Sequence, residues 1–353
     1  MLLPTTASTV WILAIVSLLC LGSWANTLKL CGKWRFEYFY YDFVVGIVLT
    51  AGAAALLLGA ANPQDLTFQD NLLLAGYRKM AWALGSGIVF NLGTLLLLAA
   101  MTVSGMSVAF PVALGVALAI GVVWDFALAA QASGVLIAGG AVLLLAAVVC
   151  IALAYSWRIQ DQRQAAQTAL RPDPRVKSPR RAPAGAVLGI VLAVVGGIAL
   201  SVFPRVLGEA TSGENGLAPY SALPLLAASA LLSSPFFVLF FITFPVTPVS
   251  ESAVTYLRGK MQQHALGVAG GVLWTAGLLA SLLVAGAPVA AQSNPLIQYI
   301  LSHAAAVVAA AWGLLVWGEF RGASDRVRML VSGMLVLFLG GLGMAAFALA
   351  GAK

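Results

Sequence analysis

Asn91 stands in the run ALGSGIVFNLGTL, four residues after Gly87 and three before Thr94, so the three share one face of a helix. A polar side chain inside so apolar a run is costly in lipid and tends to face a cavity or another helix. Its amide carries two donor hydrogens and an acceptor oxygen without a charge, which suits hydroxyl, amide or ureido groups. The plainer alternative is a hydrogen bond between helices, with the glycine permitting close approach. Asn26 repeats the pattern in GSWANTLKL, four residues after Gly22, with Trp24 and Thr27 beside it. His303, Gln298 and Tyr299 lie in NPLIQYILSHAAAVVAAAWGLLVWGEF. His303 is the one titratable group well inside an apolar run and can change charge near neutral pH, or it can serve as an interhelical hydrogen-bonding group.

These residues form the candidate substrate-binding set: Asn91, Asn26 and His303 converging on a midplane cavity, Gln298 and Tyr299 nearby, and Trp24, Trp82 and Phe110 as apolar or stacking walls. The physical basis is that a neutral hydrophilic solute leaving water needs replacement hydrogen bonds, each unmade one costing roughly 1–3 kcal/mol. Pro111 in GMSVAFPVALGVALAIG removes a backbone donor, and the resulting break could line such a cavity. Asp42, Asp125 and Glu319 sit near the ends of apolar runs and are the candidates for coupling to a proton or a sodium ion.

Enzymatic chemistry finds little support. There is no HExxH, GxSxG or GxxxxGK[ST] sequence and no aspartate cluster of the kind that holds magnesium and diphosphate. The chain therefore reads as a non-enzyme without metal, cofactor or ATP site. Cys20, Cys31 and Cys150 form no CxxC pair and suggest neither a disulfide framework nor a zinc site.

The elements that must position these residues follow from composition. Of 353 residues 61% are hydrophobic and 9% charged, against about 25% charged in a soluble domain, and the mean hydropathy is +0.98. Apolar blocks of about 20 residues match the roughly 30 Å of hydrocarbon that a helix must cross, and their uniform apolarity excludes the alternation of a membrane β-barrel. The expected fold is an all-α polytopic membrane protein with ten spans, at 11–28, 43–61, 80–101, 108–129, 134–155, 184–203, 223–244, 266–287, 297–317 and 329–349. The first, lacking a preceding Lys or Arg, reads as a retained helix rather than a signal peptide. A basic, proline-containing linker, 157–183, divides the chain into five-helix halves, 1–156 and 184–353. Because five is odd, homologous halves would form an inverted repeat. Of the 19 Lys and Arg, 15 fall on the linker's side, which places the linker in the cytoplasm and both termini outside, in a bacterial inner membrane. The net charge of +7 is thus a topology signal, not one of nucleic-acid binding.

Four stretches carry a resemblance: GSWANTLKLCGKWRFEYFYYDF, GSGIVFNLGTLLL, GMSVAFPVALGVALAIG and AAAWGLLVWGEFRGAS. In this order they resemble the drug/metabolite transporter superfamily, in particular its ureide permease and sugar-uptake branch, with an aromatic-acidic stretch before the second span and a WG-x3-[WF]GE-[FY]-R closure of the ninth. The resemblance implies a permease for a small uncharged polar metabolite such as a ureide, nucleobase or sugar, working by alternating access. An ATP-binding-like sequence described for the central loop of plant ureide permeases is missing here. An exporter of hydrophobic or cationic compounds is the rival within transport; a membrane enzyme or a structural protein is the rival outside it. Substrate, direction, coupling ion and oligomeric state are left open.

Overall fold

The computed structural model describes residues 3–61, 66–128, 133–170, 184–246, 253–287 and 295–350. Among them every regular element is helical: α1 Ala7–Ser23, α2 Asn26–Leu30, α3 Phe36–Leu57, α4 Phe68–Ser104, α5 Met106–Leu128, α6 Gly134–Leu170, α7 Ala184–Thr211, α8 Pro219–Thr243, α9 Met261–Ala285, α10 Pro295–His303, α11 Ala305–Ala311 and α12 Asp325–Ala350. A 3₁₀ turn covers Ala253–Arg258 and a π-helical turn Trp312–Val316. Eight helices, α3 to α9 and α12, are long and apolar enough to cross a membrane, and many large apolar side chains point outward, including Val187, Val191, Val195, Ile198 and Val202 in a helical stripe on α7. The chain is an all-helical polytopic membrane protein, because only lipid makes such a surface favourable and only helices satisfy their own backbone there.

Two of the expected spans are not single helices. The first breaks at Trp24–Ala25. The break follows from the residues after it: Asn26 Nδ2 donates to the Ser23 carbonyl at 2.9 Å and Thr27 Oγ1 to that of Trp24 at 2.7 Å, so side chains take the acceptors that the helix would have used. The ninth breaks at Ala304 and ends in the π-helical turn, where Trp317 N–H donates to the Trp312 carbonyl at 3.0 Å. Several other helices begin earlier than expected. The aromatic-acidic stretch, expected to precede the second span, is the first two turns of α3. The third expected span belongs to α4, which starts at Phe68 and is interrupted at Gly76, whose φ of 74° only glycine adopts readily. The charged residues from Trp157 to Leu170 continue α6; Asp161 there accepts from Ser324 and Arg326. Residues 171–183 of the expected linker lie outside the described residues.

The chain clusters into two compact units, Met1–Leu95 with Ala199–Val308, and Leu96–Ile198 with Ala309–Lys353. In the first, α9 packs on α3 and α1, and α3 on α8. The α3–α9 contact is made backbone to backbone: a Cβ on Gly271 would collide with the Phe43 carbonyl, and one on Gly46 with that of Val268. Such close approach is how apolar helices gain contact where no hydrophobic effect drives them together. The interior of this unit is aromatic, with Phe90 against Trp274 at 4.1 Å between ring centroids, Phe43 against Trp24 at 4.8 Å, and Phe203 against Phe90 at 5.6 Å. In the second unit α6 packs against α12 and α5, with Gly140 and Gly341 at the α6–α12 approach.

Candidate functional site

The close α3–α9 packing brings Asp42, in the second turn of α3, against His264, in the first turn of α9. The Asp42 carboxylate is buried, 4% exposed. Its Oδ1 accepts from the Tyr256 hydroxyl at 2.6 Å, and His264 Nδ1 lies 2.9 and 3.1 Å from its two oxygens. An ionised carboxylate only accepts, so the bond to an ionised Asp42 requires the ring proton on Nδ1. Tyr256 comes from the 3₁₀ turn ahead of α9; burial first, and then its bond to Asp42, push its phenol well above the ordinary value and keep it a donor.

Aromatic rings cover this group. Trp34 lies 5.5 Å from the His264 ring and 5.1 Å from Tyr38, and Tyr41 and His264 lie 5.6 and 4.9 Å from Tyr256. Among the described residues the buried Trp34 indole nitrogen has no hydrogen-bond partner, a donor that an incoming carbonyl or hydroxyl could meet. Beside it Arg35 grips Glu37 through two hydrogen bonds, at 2.6 and 3.2 Å, with both side chains nearly covered. Burial, and secondarily the Asp42 charge, push the Cys31 thiol up to about 11, so it is an inert thiol at neutral pH. The group can hold or release a proton and offers hydrogen-bonding and stacking surface around it. Of its members the sequence reading singled out Asp42 alone. His264, Tyr256 and Trp34 were missed because they lie in or beside loops, and the signal available was the GxxGG spacing of Gly267, Gly270 and Gly271 that draws α9 onto α3.

The other expected residues occupy different surroundings. Asn91 is fully buried; its Oδ1 accepts from Tyr40 at 2.6 Å, and its Nδ2 donates to the Ala230 carbonyl at 2.7 Å and to Ser233 Oγ at 2.6 Å. It ties α3, α4 and α8 together. Replacing it by Ala is expected to leave the buried Tyr40 hydroxyl without an acceptor and Ser233 without its donor and to lower stability by about 2–4 kcal/mol, read as a fall in the thermal unfolding temperature of the purified protein. An unchanged melt would show that these bonds contribute nothing. Asn26 bonds within its own turn, and Trp24 is buried on Phe43. His303 is exposed and stacks on Tyr299 at 4.2 Å, with its Nδ1 2.9 Å from the Tyr299 carbonyl. Thus exposed His303 and fully buried Asn91 do not share one buried polar pocket, as their apolar runs suggested, because α10 ends at His303 instead of running through. Trp82 is partly exposed, and Phe110 is buried in the second unit. The side chains of Gln298 and Asp125 lie outside the described residues.

Glu319 is a helix cap. The π-helical turn and Gly318, with φ of 58°, aim its carboxylate at the start of α5. There it accepts from the Met106 N–H at 2.9 Å and from the Ser107 N–H at 2.6 Å, and from the Ser107 hydroxyl. A negative charge on the unsatisfied N–H groups of a helix start is favourable. Among the described residues no three metal-ligating side chains come together.

No family model matches this chain, and no curated protein matches it. A solved crystal structure of a protein aligns over 96% of this chain and 97% of its own, with a TM-score of 0.50 and 17% identity. At that identity the likeness is one of fold.

Proposed function

We propose that this protein is a secondary transporter, a permease for a small uncharged polar metabolite such as a ureide, nucleobase or sugar, working by alternating access and coupled to protons at Asp42 and His264. In this reading the ten apolar segments, two of them broken, form inverted five-helix halves, with both termini outside. The observation that carries it is the buried Asp42 carboxylate bonded to His264 and Tyr256 in a lipid-embedded bundle, since an ionisable group kept in such a place marks an ion or substrate pathway. The orphan Trp34 N–H supports a ligand rich in acceptors. The same carboxylate among aromatic rings also favours a second reading, export of an organic cation.

The test is uptake by the purified protein in liposomes, under an imposed pH gradient, of labelled ureides, nucleobases and monosaccharides, with lipophilic ammonium compounds in parallel. Accumulation of one neutral solute, collapsed by a protonophore, is the expected result. Movement of the ammonium compounds alone would select the second reading, and no movement of any would sink both.

A further inference from the structure

The geometry points to a binding site for an anionic phospholipid on the outer face of α4. A groove of about 520 Å³ is lined there by Arg78, Ala81, Trp82, Gly85 and Val89 of α4 and Val206 of α7, a size within the range of ordinary ligand sites. The α4 residues follow i, i+3, i+4, i+7 and i+11 spacing and so form one continuous stripe.

The polarity of the stripe is graded. Arg78 lies in the first turn after the break at Gly76, where the apolar run begins, and is exposed. Among the described residues it has no carboxylate partner, whereas its neighbour Lys79 is engaged by the Glu209 carbonyl at 2.6 Å. Trp82 follows one turn deeper, a residue favoured at the headgroup boundary, and only apolar groups follow it. From Arg78 to Val89 is eleven residues, about 16 Å along a helix, and one leaflet of a roughly 30 Å hydrocarbon core is about 15 Å deep. An unpaired cation at headgroup level above an apolar channel one leaflet long fits a lipid with an anionic head.

Gly85 gives an independent indication. A Cβ there would meet nothing closer than Val206 Cγ1 at 3.6 Å, an ordinary contact, whereas one on Gly87 would collide with Ser229. Packing thus accounts for Gly87 and not for Gly85. A side chain at 85 would lie in the groove, and its absence keeps the groove open.

The experiment is native mass spectrometry of the delipidated full chain in detergent, titrated with phosphatidylglycerol, with phosphatidylcholine of the same acyl chains, and with soluble glycerol phosphate. The expected result is at least tenfold tighter binding of phosphatidylglycerol than of phosphatidylcholine and none of glycerol phosphate. Arg78→Ala should bring the two lipids within about twofold of each other. Gly85→Leu should weaken phosphatidylglycerol about tenfold with Arg78 intact; if that variant does not fold, Val89→Trp fills the same channel from the next turn. Equal binding of both lipids by the parent would overturn the proposal, as would glycerol phosphate binding as tightly as the lipid, or folded variants that bind as the parent does.

Discussion

Asp42→Asn is expected to abolish accumulation driven by a pH gradient while leaving exchange of substrate across the membrane within a few-fold of the parent. The amide keeps the shape of the carboxylate and still accepts from Tyr256, now 2.6 Å from Oδ1. Its NH₂ faces His264 Nδ1, which accepts in the other neutral tautomer, so the α3–α9 contact survives. What is lost is the capacity of this position to take up a proton. One proton moving down a gradient of one pH unit supplies about 1.4 kcal/mol, a tenfold accumulation. The inside-to-outside ratio of substrate should therefore fall from about ten to about one. Counterflow measured in the same vesicles reports whether the variant still binds and moves its substrate. Accumulation by Asp42→Asn equal to that of the parent would remove the carboxylate from the coupling mechanism. Loss of both accumulation and counterflow in a folded variant would assign it to substrate binding.

Glu319→Ala should have the largest effect on stability. The carboxylate serves the Met106 and Ser107 N–H groups and the Ser107 hydroxyl, and its charge opposes the positive end of α5. Two buried amides without an acceptor cost about 1–3 kcal/mol each; because Glu319 is partly exposed, water recovers some of this, and about 2–5 kcal/mol is expected. Gly105 and Gly313 lie so close to the carboxylate that a Cβ on either would stand 2.9–3.0 Å from Glu319 Oε2, so no neighbouring side chain can be drawn in as a substitute. Glu319→Gln should recover less than half, since its oxygen serves one amide while its NH₂ meets the other donor. The measurement is the midpoint of heat-induced loss of the monodisperse protein in detergent. A Glu319→Ala midpoint equal to that of the parent would show that this cap does not hold the second unit together.

The positions of the apolar elements were legible in the sequence because hydropathy is a local property. A run of twenty apolar residues has to be helical in lipid whatever it packs against, and each expected span overlaps a helix or a broken pair of helices. The breaks at Trp24–Ala25 and Ala304 were not legible, since apolarity is indifferent to a missing backbone bond. The first rests on Asn26 and Thr27 choosing the carbonyls of their own turn, and the second precedes a π-helical turn that meets the start of α5.

Partnerships were decided by tertiary structure alone. Asn91 was recognisable as a polar residue that needed partners, but Tyr40 and Ser233, 51 and 142 positions away, became those partners only when α3 and α8 closed on α4. Asp42 was recognisable as an acid near a helix end. That it meets His264, 222 positions on, depends on the glycine faces of α3 and α9 touching, and without that contact each would be only a polar residue near a helix end. The amino-acid sequence by itself determined the solvent, the helical state of the apolar runs and which side chains would be costly to leave unpaired, all of which follow from one residue and its near neighbours. Which of those side chains satisfies which, and hence which carboxylate caps a helix and which sits beside a histidine, was determined by helix faces packing across hundreds of positions, where the energy belongs to the pair and not to either residue.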